Sequence, residues 1–511
     1  MSTTSVRHPQ LGATFNGVVV ESHGVKLNQF KGIKYGNIPG RFEIAQPVAP
    51  ESFNGKTIDA TKFGPRCPQI HIDVRHLLRI PENFEIKEEP EDEFECLNLD
   101  ITLPENAPAS GKPLPVLIWI YGGSQVVTFC SAASKICDTT RIVADSVKAG
   151  KPIIVVSLNY RLNIFAFGDG KGGRNLALKD QRLAIDWVRK YIAGFGGDPD
   201  NITVAGESAG AAYTHAHLIT GPPIKRAILA SGSLHLSSPM PLELGHGLIK
   251  SLEDKVRELE QKSLRECSVG ALVRAMEELN VNRMWLQDEE ELRDWETKLE
   301  QVEELMIGEV EYESVIWRNG IETFDAPSIV AAFESKDPNW GTKLRKQYQI
   351  VADRPTASKL GALDFVNDTR FTLPAETLAE KATAAGKNRV YRYLVDEPNP
   401  WQASARAHHA VDLIFLFGGL DLSHNPGAEA VGQEMRNRWI RFINGEEPWT
   451  SFSSGKRRFA FGPFGESREI DEAQFALRRR AAHMKMLREA GPGVYGPILL
   501  ALTAGRISLL N

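Results

Sequence analysis

The stretch N-I-T-V-A-G-E-S-A-G at 201–210 constrains the fold more than any other part of the chain. Ile202 to Ala205 form a short apolar run of β-prone residues bounded by turn residues. Small side chains from Ala209 onward open a segment that suits a helix. The pattern predicts a strand, a sharp turn and a helix, with Ser208 at the apex. Glycine is needed at 206 and 210 because the backbone there is strained and neighbouring segments pack close, so that a Cβ would clash. A serine so placed has its hydroxyl pushed out above the sheet edge, where a nucleophile is useful. The five-residue match recurs by chance in many proteins, and the strand-before, helix-after context is what makes it informative.

Composition narrows the remaining choices. The 511 residues suffice for one very large α/β domain or several ordinary ones, and a net charge of −5 gives no electrostatic footprint for nucleic acid. No uninterrupted apolar run of about 18 residues is present, so no membrane span is expected. The N-terminus M-S-T-T-S-V-R-H lacks an apolar core, so the chain as given carries no secretory signal and a cytoplasmic location is expected. Five cysteines, at 67, 96, 130, 137 and 267, have no metal-ligand spacing and predict no metal site; an odd count favours a reducing compartment. The apolar C-terminus from Tyr495 carries Pro497 and Arg506 and reads as a docking segment.

Along the chain, Phe15 to Glu21 and Val25 to Tyr35 read as an antiparallel hairpin. The acidic, proline-bearing stretch from Cys67 to Cys96 reads as a solvated loop or a lid edge. Leu114 to Ile120 and Lys151 to Tyr160 are continuous apolar runs of the kind found in buried parallel strands, the first ending in Tyr121-Gly122-Gly123-Ser124. Residues 175–193 have helical amphipathic spacing. A charged helical insertion or cap is expected around 240–304, then a strand at 305–308, a helix near 374–385, a strand at 390–395 and a helix near 427–443. With no repeats and no linker-like composition, a single elaborated α/β domain over 1–511 is expected.

Several of these segments together are similar to the type-B carboxylesterases, the cholinesterase-like lipase and esterase family of the α/β-hydrolase superfamily. F-K-G-I-K-Y-G-N-I-P-G-R-F at 30–42, N-Y-R-L at 159–162, N-L-A-L-K-D-Q-R-L-A at 175–184 and F-G-G-D-P-D-N-I-T-V-A-G-E-S-A-G at 195–210 occur in the family's order. The resemblance covers nearly the whole chain and is weakest over 240–300. It implies an α/β-hydrolase fold with a large, mostly parallel sheet, and hydrolysis of small-molecule carboxylic esters without metal or organic cofactor.

A serine hydroxyl needs a base within hydrogen-bond reach and a third group to fix the base's tautomer. In this fold they follow in the order serine, acid, histidine. Glu309, Glu311, Glu313, Glu322 and Asp325 crowd the acid's region. The family's acid stands five residues after a strand-ending glycine, which from Gly308 is Glu313. Two histidines, 408 and 409, compete as the base, and the family's His-x-x-acid pattern fits His409 with Asp412. The resemblance further implies an oxyanion hole from the backbone N–H groups of Gly123, Ser124 and Ala209. Ser124 stands where the family has a third glycine, and Gln125 where an aromatic is usual, which implies a more polar wall beside the acyl group. Cys67 and Cys96 match a disulfide pair of the family. Glu93-Phe94-Glu95-Cys96 departs from the usual paired acids, so an ion pair from Arg41 to this turn is expected to be rearranged. Other readings fit the motifs: acyl transfer to an acceptor other than water, lactone processing, lipase action at an interface, or a catalytically dead binding protein on the same scaffold.

Overall fold

A computed structural model of the chain describes every residue except 1, 108–110, 223, 299–301, 388 and 509–511. The chain forms two compact units, one of residues 1–71, 85–306 and 413–448, the other of 72–84, 307–412 and 449–511.

The first unit is built on a mixed sheet. Thr3–His8, Ala13–Ser22, Val25–Lys34 and Asn98–Pro104 pair antiparallel in succession, and Asn98–Pro104 is also antiparallel to Ile154–Leu158. From there Ile154–Leu158, Leu114–Ile120, Gly197–Glu207 and Ile224–Ala230 run parallel. Every residue of Ile154–Leu158 is buried, as strands covered by helices on both faces require. The amphipathic helix expected at 175–193 forms over Leu176–Tyr191. Pro426–Ile443 packs Trp439 towards Trp119, whose indole also meets the edge of Phe417 at 4.9 Å.

The hairpin read from 15–35 is present, but the strand Thr3–His8 beside it was not foreseen. Within 240–304, helices Leu242–Glu260 and Val269–Glu278 bury Ile249, Leu252, Val256, Leu272 and Met276. Their outer faces carry i,i+4 ion pairs such as Lys250–Asp254 and Arg274–Glu278.

In the second unit, Arg389–Val395 is parallel to Arg458–Phe461, which is antiparallel to Ser467–Ile470. The strand Val302–Val310, longer than the 305–308 predicted, supplies Ile307 to Val310 to this unit. A Cβ on Gly308 would strike the Tyr393 ring at 1.8 Å, so this strand lies directly against Arg389–Val395. Buried charges bind the unit together: Arg392 pairs with Glu309 and Glu376, Arg458 with Glu376, and Arg479 with Glu309 and Asp396.

Residues 72–84 differ from the solvated loop expected. Leu77, Leu78 and Ile80 are buried, Leu78 O accepts from Asn399 Nδ2 at 2.6 Å, and Phe84 meets Trp401 edge-on. Apolar burial fixes this piece where its acidic flanks suggested solvent. The C-terminal segment docks as expected, with Ile498 and Leu502 of Pro492–Thr503 wholly buried. Among the described residues no helix is long and apolar enough to cross a membrane.

Candidate active site

Ser208 stands at the junction of the strand Gly197–Glu207 and the helix Ala209–Thr220, at φ 55° and ψ −120°. A Cβ on Gly206 would lie 2.4 Å from Gly210 C, and one on Gly210 would lie 2.1 Å from Ile120 O. Both glycines are therefore fixed by close approach, as the motif predicted. Ser208 N donates to Ala230 O at 3.0 Å, which ties the strained turn to the next strand. The serine is only 7% exposed, so it is not the surface apex pictured from the sequence.

The turn Tyr121–Gln125 lies against this serine. A Cβ on Gly122 would meet Glu207 O at 2.7 Å and Ser208 Cβ at 3.0 Å. Gly123 (φ 117°), Ser124 (φ 55°) and Gln125 (φ 63°) are consecutive residues with positive φ, a conformation that only glycine adopts without strain. External bonds hold it: Met284 N donates to Ser124 O at 2.9 Å and Asn163 N to Gln125 O at 2.8 Å.

In the second unit the structure brings Glu313 and His409 together, with Glu313 Oε2 2.5 Å from His409 Nδ1. The other carboxylate oxygen, Oε1, accepts from Val310 N at 2.9 Å, and the side chain is fully buried. Two features that the sequence did not single out set this pair. Asn367 Oδ1 accepts from the backbone N–H groups of both Glu313 and Ser314, at 2.8 and 3.1 Å, from the point where Pro355–Asn367 passes into a π-helical turn. Phe371, on that turn, meets the His409 ring edge-on at 5.6 Å.

The other acids near Glu313 are engaged elsewhere. Glu309 is buried between Arg392 and Arg479, and burial raises its pKa against their charges. Glu311 pairs with Arg406 in a half-exposed bridge, Glu322 with Lys359, and Asp325 caps the helix Ala326–Glu334. The two histidines part in the same way. Asn399 Nδ2 can only donate, so His408 Nε2 accepts at 2.9 Å and its Nδ1–H donates to His409 O at 2.9 Å. Both ring nitrogens of His408 are thus used structurally.

Burial lowers the His408 pKa to about 4. The folded chain then resists a proton that the unfolded chain takes up near pH 6.5, so this stabilisation is full above that pH and is lost as pH falls toward 4. Between pH 7 and 5 the loss amounts to about 2 kcal/mol. His408→Gln is expected to lose that much less unfolding free energy over the interval, measured by urea titration. Equal losses in the two proteins would remove His408 as the cause.

Cys67 and Cys96 are free, fully buried thiols. The Cys96 thiol is pushed well up by a hydrogen bond with Cys67 and by burial. Arg41 does find its ion pair, gripping Glu93 through Nη2 and Nε at 2.6 and 2.7 Å, while Glu95 turns to Lys34. Of the two acids in this turn, Glu93 answers Arg41 and Glu95 answers Lys34.

The Carboxylesterase family model matches residues 2–245 and 272–469, leaving out 246–271 within the charged helical region. Lipase 3 of Yarrowia lipolytica is 32% identical over 88% of this chain and 91% of its own length. Para-nitrobenzyl esterase of Bacillus subtilis is 28% identical over 86% and 88%. A shorter match, 35% identical over 45% and 39%, is to the inactive carboxylesterase-like protein VdtD of Byssochlamys spectabilis. Parallel central strands flanked by helices agree with the α/β-hydrolase fold of these proteins, and the matches support carboxylic-ester hydrolysis as the general chemistry. The chain belongs to the carboxylesterase family.

Proposed function

We propose that the chain is a serine carboxylesterase working through an acyl-enzyme. Ser208 attacks the ester carbonyl while His409 Nε2 takes its proton. Glu313 holds Nδ1–H, which fixes the tautomer and stabilises the imidazolium that forms. The backbone N–H groups of Gly123, Ser124 and Ala209 receive the developing oxyanion. His409 returns the proton to the leaving alcohol, and water then repeats the sequence to release the acid. The reaction so written uses no metal or organic cofactor.

The observation that carries this reading is the buried Glu313–His409 pair, bonded through Nδ1, the arrangement that assigns base chemistry to the opposite ring nitrogen. The strained turn that carries Ser208 and the glycine-led turn against it support Ser208 as the nucleophile. The inactive relative keeps a non-catalytic role as the rival. Incubating purified protein with p-nitrophenyl esters and with an organophosphonate decides between them. Turnover with stoichiometric labelling of Ser208, read by peptide mass spectrometry, is the expected result; absence of both favours the binding protein. Product ratios with added alcohol separate hydrolysis from acyl transfer.

A cytoplasmic location belongs to the same proposal, supported by five buried free cysteines. We further propose that Cys67 and Cys96 join when the purified protein is exposed to air, their sulfurs being within hydrogen-bond reach. Closing that loop would restrict the unfolded chain by about 3–4 kcal/mol. A 67–96 linked peptide in an unreduced digest is expected, and two alkylatable thiols there after oxidation would contradict it.

A further inference from the structure

The strands Gly197–Glu207 and Ile224–Ala230, which meet the serine turn at their far ends, begin beside an open pocket. Its apolar lining is Ile185 of the helix Leu176–Tyr191, Ile202 and Ile224, all three side chains largely buried. The extended run from Ile202 to Ser208 spans about 20 Å, so this pocket is separate from the esterase site. Its volume of about 250 Å³ falls below the roughly 300 Å³ at which pockets for drug-sized molecules begin, which suits a small ligand.

Four charged residues complete the lining: Arg189, Asp200, Lys225 and Glu303. Ile224–Ala230 lies between Gly197–Glu207 and Val302–Val310 in the sheet. Side chains alternate across a strand, so residues one apart face opposite sides. On one side Arg226 reaches Glu304 at 3.2 Å, and the pair is buried. On the other, Lys225 and Glu303 stand one residue earlier on the same two strands and line the pocket together, yet they form no ion pair. The Asp200 carboxylate, on the third strand, is likewise without a partner among the described residues. Arg189, one helical turn beyond Ile185, adds a second cation to the lining.

Opposite charges that share a recess without touching leave room for a bridging molecule. A purely anionic ligand would face Asp200 and Glu303, and a purely cationic one would face Lys225 and Arg189. A hydrocarbon alone would strip water from all four charges and return nothing. The lining is answered by a short molecule that carries both charges and an apolar stem.

We propose that this pocket is a second binding site, for a free α-amino acid with an aliphatic side chain. Lys225 and Arg189 receive its carboxylate, Asp200 and Glu303 its ammonium group, and the isoleucines its hydrocarbon. The site stands whether or not Ser208 is a nucleophile.

The test titrates L-leucine into the full chain and follows binding by saturation-transfer NMR. Saturation with a Kd on the order of 1 mM is expected, the strength open to a ligand of this size. 4-Methylpentanoate and isopentylamine, which keep the hydrocarbon and one charge each, are expected to bind at least about tenfold more weakly. Glycine, which keeps both charges and lacks the stem, is expected to lose about tenfold as well. Lys225→Met retains the alkyl stem and should raise the Kd for leucine about tenfold, and Glu303→Gln about threefold because Asp200 remains. Absence of saturation at about 20 mM, equal binding of either single-charge analogue, or an unchanged Kd in both folded variants overturns the assignment. Leucine that competes with p-nitrophenyl acetate for turnover would place it at the ester site and overturn it too. If neither variant folds, the analogue series on the unmodified chain decides.

Discussion

Ser208→Ala is expected to abolish ester turnover and organophosphonate labelling, with kcat falling by about 10⁵- to 10⁶-fold, as when the nucleophile of a serine hydrolase is removed. The unfolding free energy should stay within about 1 kcal/mol, because alanine keeps the Cβ and the backbone bond to Ala230 while losing one oxygen. The stability measurement is what gives the activity loss its meaning. Near-complete loss in a protein that unfolds at the same urea concentration assigns the chemistry to this oxygen. Labelling that persists in the variant would remove Ser208 as the nucleophile.

Glu313→Gln carries the second largest effect. The carboxylate accepts on both oxygens, from Val310 N and from His409 Nδ1. An amide has one acceptor and one donor end. If its oxygen stays on Val310 N–H, its NH₂ faces His409 and favours the tautomer with the proton on Nε2, which cannot take a proton from serine. The expected result is a fall in kcat of about 10³- to 10⁴-fold with KM little changed. Glu311→Gln removes only a half-exposed bridge to Arg406, worth less than about 1 kcal/mol, and should leave kcat within a few-fold. An exchange of the two outcomes would show that the acid has been misplaced by one turn of chain.

The parts of this molecule that were legible in the sequence are those where sterics leave no alternative. Gly206 and Gly210 admit no Cβ, so the serine turn announces itself. The all-apolar strands Leu114–Ile120 and Ile154–Leu158 are equally plain. What escaped is where charge or an ordinary residue does interior work. Val302–Val310 looked short because Glu303, Glu304 and Glu309 suggest solvent, yet Glu304 pairs with Arg226 and Glu309 with Arg392 and Arg479, all buried. Thr3–His8 is polar apart from Val6 and lies at the edge of the sheet, so little in its composition marks a strand. Asn367 and Asn399 set Glu313 and His408 by hydrogen bonds reaching from other segments, and a lone asparagine carries no signal of such a partner. Choosing among five carboxylates needed the family's spacing, since residue type alone made them equivalent.

The pairing of Glu309 has a consequence for how the chain is made. Its counter-charges lie at 392 and 479, far downstream of the carboxylate they neutralise. On the ribosome, the strand that leads to Glu313 emerges long before Arg479 does, and burying a carboxylate with a partner missing costs about 3–5 kcal/mol. Synthesis halted before residue 479 therefore yields a chain that cannot close this strand into its sheet without penalty. Such a product is left open to proteolysis, so the last stretch of translation determines whether the strand that leads to Glu313 is seated without penalty.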